Sequence, residues 1–237
     1  MQTRTLFSPT MRDNPHTLSR YTTLDEFELA PGEVMPSQRF PEERLYVFTD
    51  GRGLMDIYPG DLYEIRQTTA LWTTPLIPTE LRNTGPRPLH GVVFRVGDVP
   101  VPRLAGELLT WTSVAASGQA APGSGQNTVY VYETPRHDEG LHLRIYLIGL
   151  RRSQRTHDPA EMLTVLPGGA TQAHTHPDIE ESLYILCGAG VASWDGDEIA
   201  LRPGDALCYP PNVVRKVVNT GVAPLTYICH AVSLANT

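Results

Sequence analysis

Three residues in the C-terminal half of the chain have the types and spacing of metal ligands: His174, His176 and Glu181. Because residues two apart on a β-strand point to the same face, this spacing predicts that both imidazoles enter one space. Pro177 then bends the chain, and Glu181 falls at the start of the next predicted strand. Two imidazoles and one carboxylate predict a site for a divalent first-row metal with coordination positions left open. The alternative is a pair of surface histidines in a turn and a solvated carboxylate at a strand end.

The elements that must position these residues occur in two copies of one pattern. In each copy a Pro-Gly pair is followed by a Glu-Glu strand, a Gly-x-Gly turn, an Asn-Thr-Gly turn and a Pro-Leu pair. The first copy has these features at residues 31–32, 42–48, 51–53, 83–85 and 88–89, and the second at 167–168, 180–186, 188–190, 219–221 and 224–225. The sequence therefore predicts an internally duplicated protein.

Both copies have the composition of β-structure. Residues 44–48, 183–187, 206–209 and 225–232 are short, rich in β-branched and aromatic side chains, and bounded by Gly, Pro or Asp. Such regular strands predict an all-β sandwich or barrel. We predict an N-terminal domain over residues 1–97, a connecting segment over 98–139 and a C-terminal domain over 140–237. Within the connecting segment, residues 98–113 could form a short helix or an extra strand, and 115–126 have the composition of a flexible linker or surface loop.

The residues around the histidines resemble the first motif of the cupin family, and those at 202–205, 210–211 and 219–221 resemble the second. The chain is similar to a bicupin, which implies two tandem jelly-roll (double-stranded β-helix) barrels with a metal site in the second. The family spacing favours Glu181 over its neighbour Glu180 as the carboxylate ligand. The resemblance says little about the reaction, because cupins include oxygenases, isomerases, decarboxylases, hydrolases and binding proteins.

One position departs from this pattern. The family usually has a histidine as its last metal ligand four residues before the Asn of the second motif, and here that residue is Arg215. Arginine stays protonated and has no lone pair, so it cannot replace imidazole as a ligand. The metal could be held by His174, His176 and Glu181 alone, or Arg215 could bind an anionic substrate beside or instead of a metal. Arg215 could also form a salt bridge at the barrel rim.

The N-terminal copy lacks the ligands. Counted back from Glu43, the two histidine positions are Pro36 and Gln38, and the position that matches Arg215 is Thr79. This domain is predicted to be structural, an interface or a lid.

Two other groups are candidates for a role at the site. His230, on the last predicted strand, could point into the cavity as an acid, a base or an extra ligand, although a core histidine is the common alternative. Arg151, Arg152 and Arg155 could lie near the cavity mouth, although a solvated loop is the common alternative.

Composition limits the partners. The formal net charge is −7, and no basic cluster offsets it, so we expect no nucleic-acid partner. Residues 1–21 are polar and no apolar run could span a bilayer, so we expect no signal peptide and no membrane association. Cys187, Cys208 and Cys229 are interpreted as reduced, buried thiols of a cytoplasmic protein. The family resemblance also allows a homodimer.

These observations together predict a metal-dependent enzyme that acts on a small anionic or oxygen-rich organic molecule. We expect one divalent metal per chain, with Fe(II) favoured and a dioxygenase-type oxidoreductase as the first hypothesis, because three ligands leave room for substrate and O₂. An isomerase, hydrolase or decarboxylase with Mn, Ni or Zn is the alternative, and a non-catalytic cupin that binds a small ligand is another. Arg215 and His230 are the expected catalytic residues.

Overall fold

The computed structural model describes residues 1–8, 11, 14–17, 19–57, 62–73, 76–97, 113–115, 131–135, 141–146 and 160–234. The chain divides into two compact units. Unit 1 comprises Met1–Leu6, Tyr21–Val129 and Ser153–Arg155, and unit 2 comprises Phe7–Arg20, Tyr130–Arg152 and Thr156–Thr237. Among the described residues, no helix is long and apolar enough to cross a membrane.

Unit 1 is built from two antiparallel sheets. The strands in chain order are β1 (Gln2–Phe7), β2 (Thr22–Leu29), β3 (Val34–Arg39), β4 (Glu43–Asp50), β5 (Gly53–Ile57), β6 (Leu62–Ile65), β7 (Thr69–Thr73), β8 (Pro78–Asn83), β9 (Leu89–Val96) and β10 (Ser113–Ala115). One sheet has the order β1-β2-β9-β4-β7-β10 and the other β3-β8-β5-β6.

Unit 2 repeats this plan. Its strands are β11 (Val131–Pro135), β12 (Leu141–Tyr146), β13 (Glu161–Val165), β14 (Ile179–Cys187), β15 (Gly190–Trp194), β16 (Asp197–Leu201), β17 (Ala206–Tyr209), β18 (Arg215–Val218) and β19 (Leu225–Ser233). The sheet orders are β11-β12-β13-β19-β14-β17 and β16-β15-β18. Side chains from both sheets form one core, among them Leu183, Ile185, Ala192 and Val217. The predicted all-β fold of two tandem jelly-roll barrels is confirmed, and the four predicted strands lie within β4, β14, β17 and β19.

Two features of the duplicated pattern have the same physical basis in both units. Gly51 and Gly188 have positive φ angles of 94° and 87°, and a Cβ at either position would collide with the carbonyl oxygen of Pro88 or Pro224. Only glycine avoids both penalties. Each Gly-x-Gly turn therefore packs tightly against the start of the last strand of its barrel.

The two asparagines of the pattern also act alike. Asn83 and Asn219 are both buried. The amide of Asn83 donates to the carbonyls of Leu29 and Arg87, and that of Asn219 donates to those of Val165 and Ala223. Each amide thus joins the end of one strand to the turn before another, which satisfies main-chain groups that would otherwise be buried without partners.

An N-terminal segment packs in unit 2, a feature that the sequence did not predict. Within Phe7–Arg20, a short 3-10 helix spans Pro15–Thr17. The ring of His16 meets that of Trp194 edge-on, with centroids 5.0 Å apart. The hydroxyl of Ser19 donates to the Glu180 carboxylate over 2.7 Å. These contacts attach the segment to both sheets of unit 2, through Trp194 of β15 and Glu180 of β14.

The predicted domain limits at residues 97 and 140 stay a prediction. Strands β10 and β11 fall inside the segment that was expected to connect the domains. Residues 98–112 and 116–130 lie outside the described residues, and so do Arg151, Arg152 and Arg155.

Candidate metal centre

The barrel of unit 2 contains a cavity of about 310 Å³, a volume that suits a small organic molecule. Its walls come from inward-facing positions of β13, β14, β17, β18 and β19 and from the segment between β13 and β14. The lining includes His174, His176, Glu181 and Arg215, so four of the five predicted site residues meet in this one space.

The two histidines lie on the segment between β13 and β14, and this corrects the expectation that they lie on a regular strand. His174 forms an isolated antiparallel bridge with Arg215, with main-chain hydrogen bonds of 3.1 and 2.9 Å. The carbonyl of His176 accepts a bond of 2.8 Å from the amide of Asn212. These bonds fix the main chain without a continuous ladder. The two rings still meet, with centroids 5.2 Å apart.

A main-chain carbonyl sets the tautomer of His174. Its Nδ1 lies 2.7 Å from the carbonyl oxygen of Gln172. Because a carbonyl oxygen can only accept, Nδ1 carries the proton and Nε2 presents its lone pair. Metal-binding histidines commonly have this kind of second contact, which fixes the ring and increases its basicity.

Glu181 and Glu180 point to opposite faces of β14, as strand geometry requires. Glu181 lines the cavity. The carboxylate of Glu180 is 1% exposed and accepts hydrogen bonds from the Ser19 hydroxyl and the Arg20 amide. Glu180 is therefore engaged with the N-terminal segment, and Glu181 is the carboxylate next to the histidines.

The donor set fits a transition metal ion. One ligand atom from each of His174, His176 and Glu181 lies within 4.8 Å of the others, and Nε2 of His176 is 3.9 Å from Oε2 of Glu181. Ligands on one ion at about 2.1 Å are about 3 to 4 Å apart, so small side-chain rotations suffice to close the set. Within the described part of the chain, no second group of His, Cys, Asp and Glu meets this spacing.

Arg215 is the charged neighbour of this set. It is the first residue of β18, its side chain is 2% exposed, and its guanidinium binds both oxygens of Glu181, with Nε–Oε1 of 3.1 Å and Nη2–Oε2 of 2.8 Å. A carboxylate has about four lone-pair sites, so two remain for a cation. The third nitrogen, Nη1, is buried and has no hydrogen-bond partner among the described residues. The sequence left open whether Arg215 faces the cavity, and its position in the lining places it there.

Tyr209 lies beneath the guanidinium, whose carbon is 5.5 Å from the centroid of the ring. Burial and the negative charge of Glu181 raise the pKa of the Tyr209 phenol, while Arg215 lowers it by a smaller amount. The phenol is therefore neutral at physiological pH and can donate a hydrogen bond. Tyr209 also lines the cavity.

His230 does not face the cavity, which corrects the expectation of a catalytic role there. Tyr227, Cys229 and Ala231 on β19 line the cavity, so the residue that alternates with them points to the other face. His230 lies opposite Ser182 in the sheet and is 4% exposed. Burial lowers its pKa to about 4, which keeps the imidazole neutral.

Sequence reasoning missed Glu161, a carboxylate that lines the same cavity and is 7% exposed. The signal was present in the sequence. Glu161 shares the inward face of β13 with Leu163 and Val165, where alternation predicts an apolar residue. A carboxylate at a core position of a strand is a reason to suspect a site.

Two further placements differ from expectation. Gln38 lies opposite Thr79 in unit 1, the pairing that His174 makes with Arg215 in unit 2, so the sheet register equates Gln38 with His174 and not with His176. Cys187 is exposed, whereas the sequence predicted a buried thiol.

Comparison with known families agrees with this fold. Residues 161–231 match the family model described as the cupin domain. The C-terminal barrel is therefore a cupin domain, and the solved structures below share the fold of the whole chain.

Particular relatives are distant or partial. An uncharacterized protein of Methanocaldococcus jannaschii is 36% identical over 62 residues, which are 26% of this chain and 50% of that protein. The match thus spans half the length of this curated relative. The structure of Ylba from E. coli is 16% identical with a TM-score of 0.71, and covers 98% of this chain and 81% of that one.

Two oxalate decarboxylases also have this fold. The enzyme from Lactobacillus farciminis, in a formate complex, is 15% identical with a TM-score of 0.69, and the match covers 98% of this chain and 83% of that one. The enzyme from Bacillus subtilis is 15% identical with a TM-score of 0.62, and covers 90% of this chain and 71% of that one. At these identities the likeness shows the fold alone.

Proposed function

We propose that this chain is a metal-dependent cupin enzyme that acts on a small anionic or oxygen-rich organic molecule. The observation that carries the proposal is the convergence of His174, His176 and Glu181, with ligand atoms within 4.8 Å, in the wall of a cavity of about 310 Å³. Arg215 lines the same cavity and supplies a fixed positive charge for a carboxylate or enolate.

A divalent metal bound here would polarise a carbonyl or enediolate, and a redox-active one would also activate O₂. The residues around it have separate tasks. The buried Nη1 of Arg215, the guanidinium nitrogen that does not bond Glu181, orients the anionic group of the substrate, and the neutral phenol of Tyr209 offers a hydrogen bond to a developing oxyanion. Apolar side chains such as Leu163, Leu183 and Val217 also line the cavity beside these polar groups.

An Fe(II) dioxygenase-type oxidoreductase is the specific reaction that we favour. Three protein ligands leave positions for both substrate and O₂, as in facial two-histidine, one-carboxylate sites. A reaction without O₂ is the second candidate. The oxalate decarboxylase of Bacillus subtilis has Mn(II) centres, and that of Lactobacillus farciminis was determined with formate, so a Mn-dependent reaction on a small carboxylate has a precedent in this fold.

A non-catalytic binding protein is the candidate from another class. It is favoured by the ion pair between Arg215 and Glu181, which already neutralises the carboxylate that a metal needs. We further propose that the N-terminal barrel is structural, because Thr79 and Gln38 replace two of the residues that form the site in unit 2. A homodimer and the domain limits at residues 97 and 140 also stay proposals.

The test is metal analysis followed by oxygen consumption. The protein is purified without chelators, reconstituted separately with Fe(II) and Mn(II), and supplied with a panel of 2-oxo, 2-hydroxy and dicarboxylic acids. The oxygenase proposal predicts about one Fe per chain and substrate-dependent O₂ uptake. Turnover with Mn(II) and without O₂ uptake would establish the second candidate. Less than roughly a tenth of a metal per chain after reconstitution would contradict both enzyme candidates and favour the binding protein.

A further inference from the structure

Arg215 and the proposed metal ligands share one carboxylate. Both oxygens of Glu181 accept hydrogen bonds from Nε and Nη2 of Arg215, at 3.1 and 2.8 Å. A metal ion on Glu181, His174 and His176 therefore has a permanent positive charge as its neighbour. The two cations compete for the same negative group, so Arg215 weakens the binding of a metal to this set.

The formal charges of the cavity lining show how much unbalanced positive charge a bound metal adds. The charged residues in the lining are Glu161, Glu181, Arg215 and Lys216, whose formal charges sum to zero. A divalent ion leaves an excess of two positive charges beside Glu181 and Arg215, whose side chains are 12% and 2% exposed. Charges in such a place interact more strongly than in bulk water, so an anion that enters with the metal is favoured.

The structure also shows where that anion can bind. Nη1 of Arg215 belongs to a side chain that is 2% exposed, and this buried nitrogen has no hydrogen-bond partner among the described residues. A buried N–H group of a guanidinium has a strong preference for an acceptor. A carboxylate in the cavity could accept a hydrogen bond from Nη1 while Nε and Nη2 remain bonded to Glu181. It could also bind Nε and Nη2 in place of Glu181, which would leave the Glu181 carboxylate free to bind the metal.

We propose that the metal and a small carboxylate bind this cavity cooperatively, with Arg215 as the residue that couples them. The inference rests on the proposed function and adds its regulation: a strong metal site forms when the carboxylate is present. Coupling of this kind is reciprocal, so the metal must increase the affinity for the carboxylate by the same factor. The carboxylate acts as a ligand of the protein, and no bond is made or broken.

The experiment is a calorimetric titration of the full chain with Mn(II) at constant ionic strength, in sodium formate and in sodium chloride. We expect formate to lower the apparent Kd for Mn(II) by at least about 10-fold. A second titration, of formate into protein with and without saturating Mn(II), must give the same factor. Isotherms of Mn(II) with formate alone correct for their direct association.

The variant Arg215→Gln separates this coupling from simple metal–formate contact. We expect it to bind Mn(II) several-fold more tightly than the wild type in chloride, because Glu181 loses its competing cation, and to lose the response to formate. Arg202→Gln is the matched control: the same change in the same unit at an exposed turn outside the cavity lining, and it must keep the wild-type coupling. If Arg215→Gln does not fold, Arg215→Lys is tested in its place. Lysine keeps the positive charge but lacks the planar pair of donors that bonds both oxygens of Glu181, so formate must change the Kd for Mn(II) by a smaller factor than in the wild type.

The outcomes distinguish the two proposals. If Mn(II) binds the wild type with a Kd that formate changes by less than about 2-fold, the coupling is overturned and the metal site stands. Full coupling in Arg215→Gln would also overturn it, because formate would then act on the metal alone. If the wild type binds neither Mn(II) nor, in an anaerobic repeat of the titration, Fe(II) in either salt, the proposed function itself fails, and the coupling fails with it.

Discussion

Adjacent glutamates on β14 allow a sharp test of which face of the strand holds the metal. Glu181 lines the cavity, and Glu180 lies on the opposite face in contact with the N-terminal segment. Both carboxylates are largely buried and both accept two hydrogen bonds. Glu181→Gln and Glu180→Gln are therefore equal chemical changes one residue apart, and each serves as the control for the other.

The expected stability changes follow from the contacts that each variant loses. Glu181→Gln leaves the guanidinium of Arg215 without a carboxylate, and breaking a buried pair typically costs 3–5 kcal/mol; because the Glu181 side chain is 12% exposed, we expect about 3 kcal/mol. Glu180→Gln weakens two bonds to an anion, from Ser19 and Arg20, and we expect about 2 kcal/mol. Both variants are expected to fold.

The two substitutions should differ far more in their effect on metal affinity than in their effect on stability. Loss of a group that only supports a ligand typically costs 10- to 100-fold in affinity, so loss of the carboxylate ligand itself should cost at least about 100-fold, whereas Glu180→Gln should change the Kd for Mn(II) by less than about 3-fold. The assay combines urea unfolding, followed by circular dichroism, with Mn(II) titration of the folded variants. Equal weakening of Mn(II) binding by both substitutions, or none by Glu181→Gln, would refute the assignment.

Three further predictions concern other buried or reactive groups. Burial lowers the pKa of His230 to about 4, so between about pH 6.5 and 4 the unfolded chain binds a proton that the folded chain does not. The free energy of unfolding should therefore decrease as the pH is lowered through this window, by roughly 2 kcal/mol at pH 5. In urea titrations, His230→Gln should remove this dependence. Cys187 is exposed while Cys208 is fully buried outside the cavity lining, so a thiol reagent should modify Cys187 quickly and Cys208 only after denaturation; fast modification of Cys208 would contradict the packing of β17. Glu161→Gln should change the pH profile of substrate turnover or the Kd of a carboxylate, and should weaken Mn(II) binding less than Glu181→Gln does; an unchanged profile and Kd would exclude Glu161 from the reaction.

The sequence predicted the fold because its signals are local and occur twice. Gly51 and Gly188 mark turns that no other residue fits, and Asn83 and Asn219 mark the same main-chain junction in both units. The family spacing also favoured Glu181 over Glu180, and the structure gives the reason, because the two carboxylates point to opposite faces of β14 and Glu181 lines the cavity.

The remaining features depend on contacts between distant residues. Ser19 and Glu180 are 161 residues apart, and the short polar segment around Ser19 has no periodicity that predicts where it docks. Arg215 and Glu181 pair across the barrel, so the sequence could offer cavity binding or a salt bridge but not both at once, as the structure has it. The prediction that His230 faces the cavity was wrong, because a lone histidine does not reveal which of the two faces of β19 points inward.

The central claim is that His174, His176 and Glu181 bind one ion. Anomalous diffraction from crystals of the Mn(II)-loaded protein tests it most directly. The account predicts a single strong peak in unit 2 about 2.2 Å from Nε2 of His174, a nitrogen of His176 and an oxygen of Glu181. A fully loaded crystal with its anomalous peak elsewhere, or with those three side chains turned away from the ion, would contradict it.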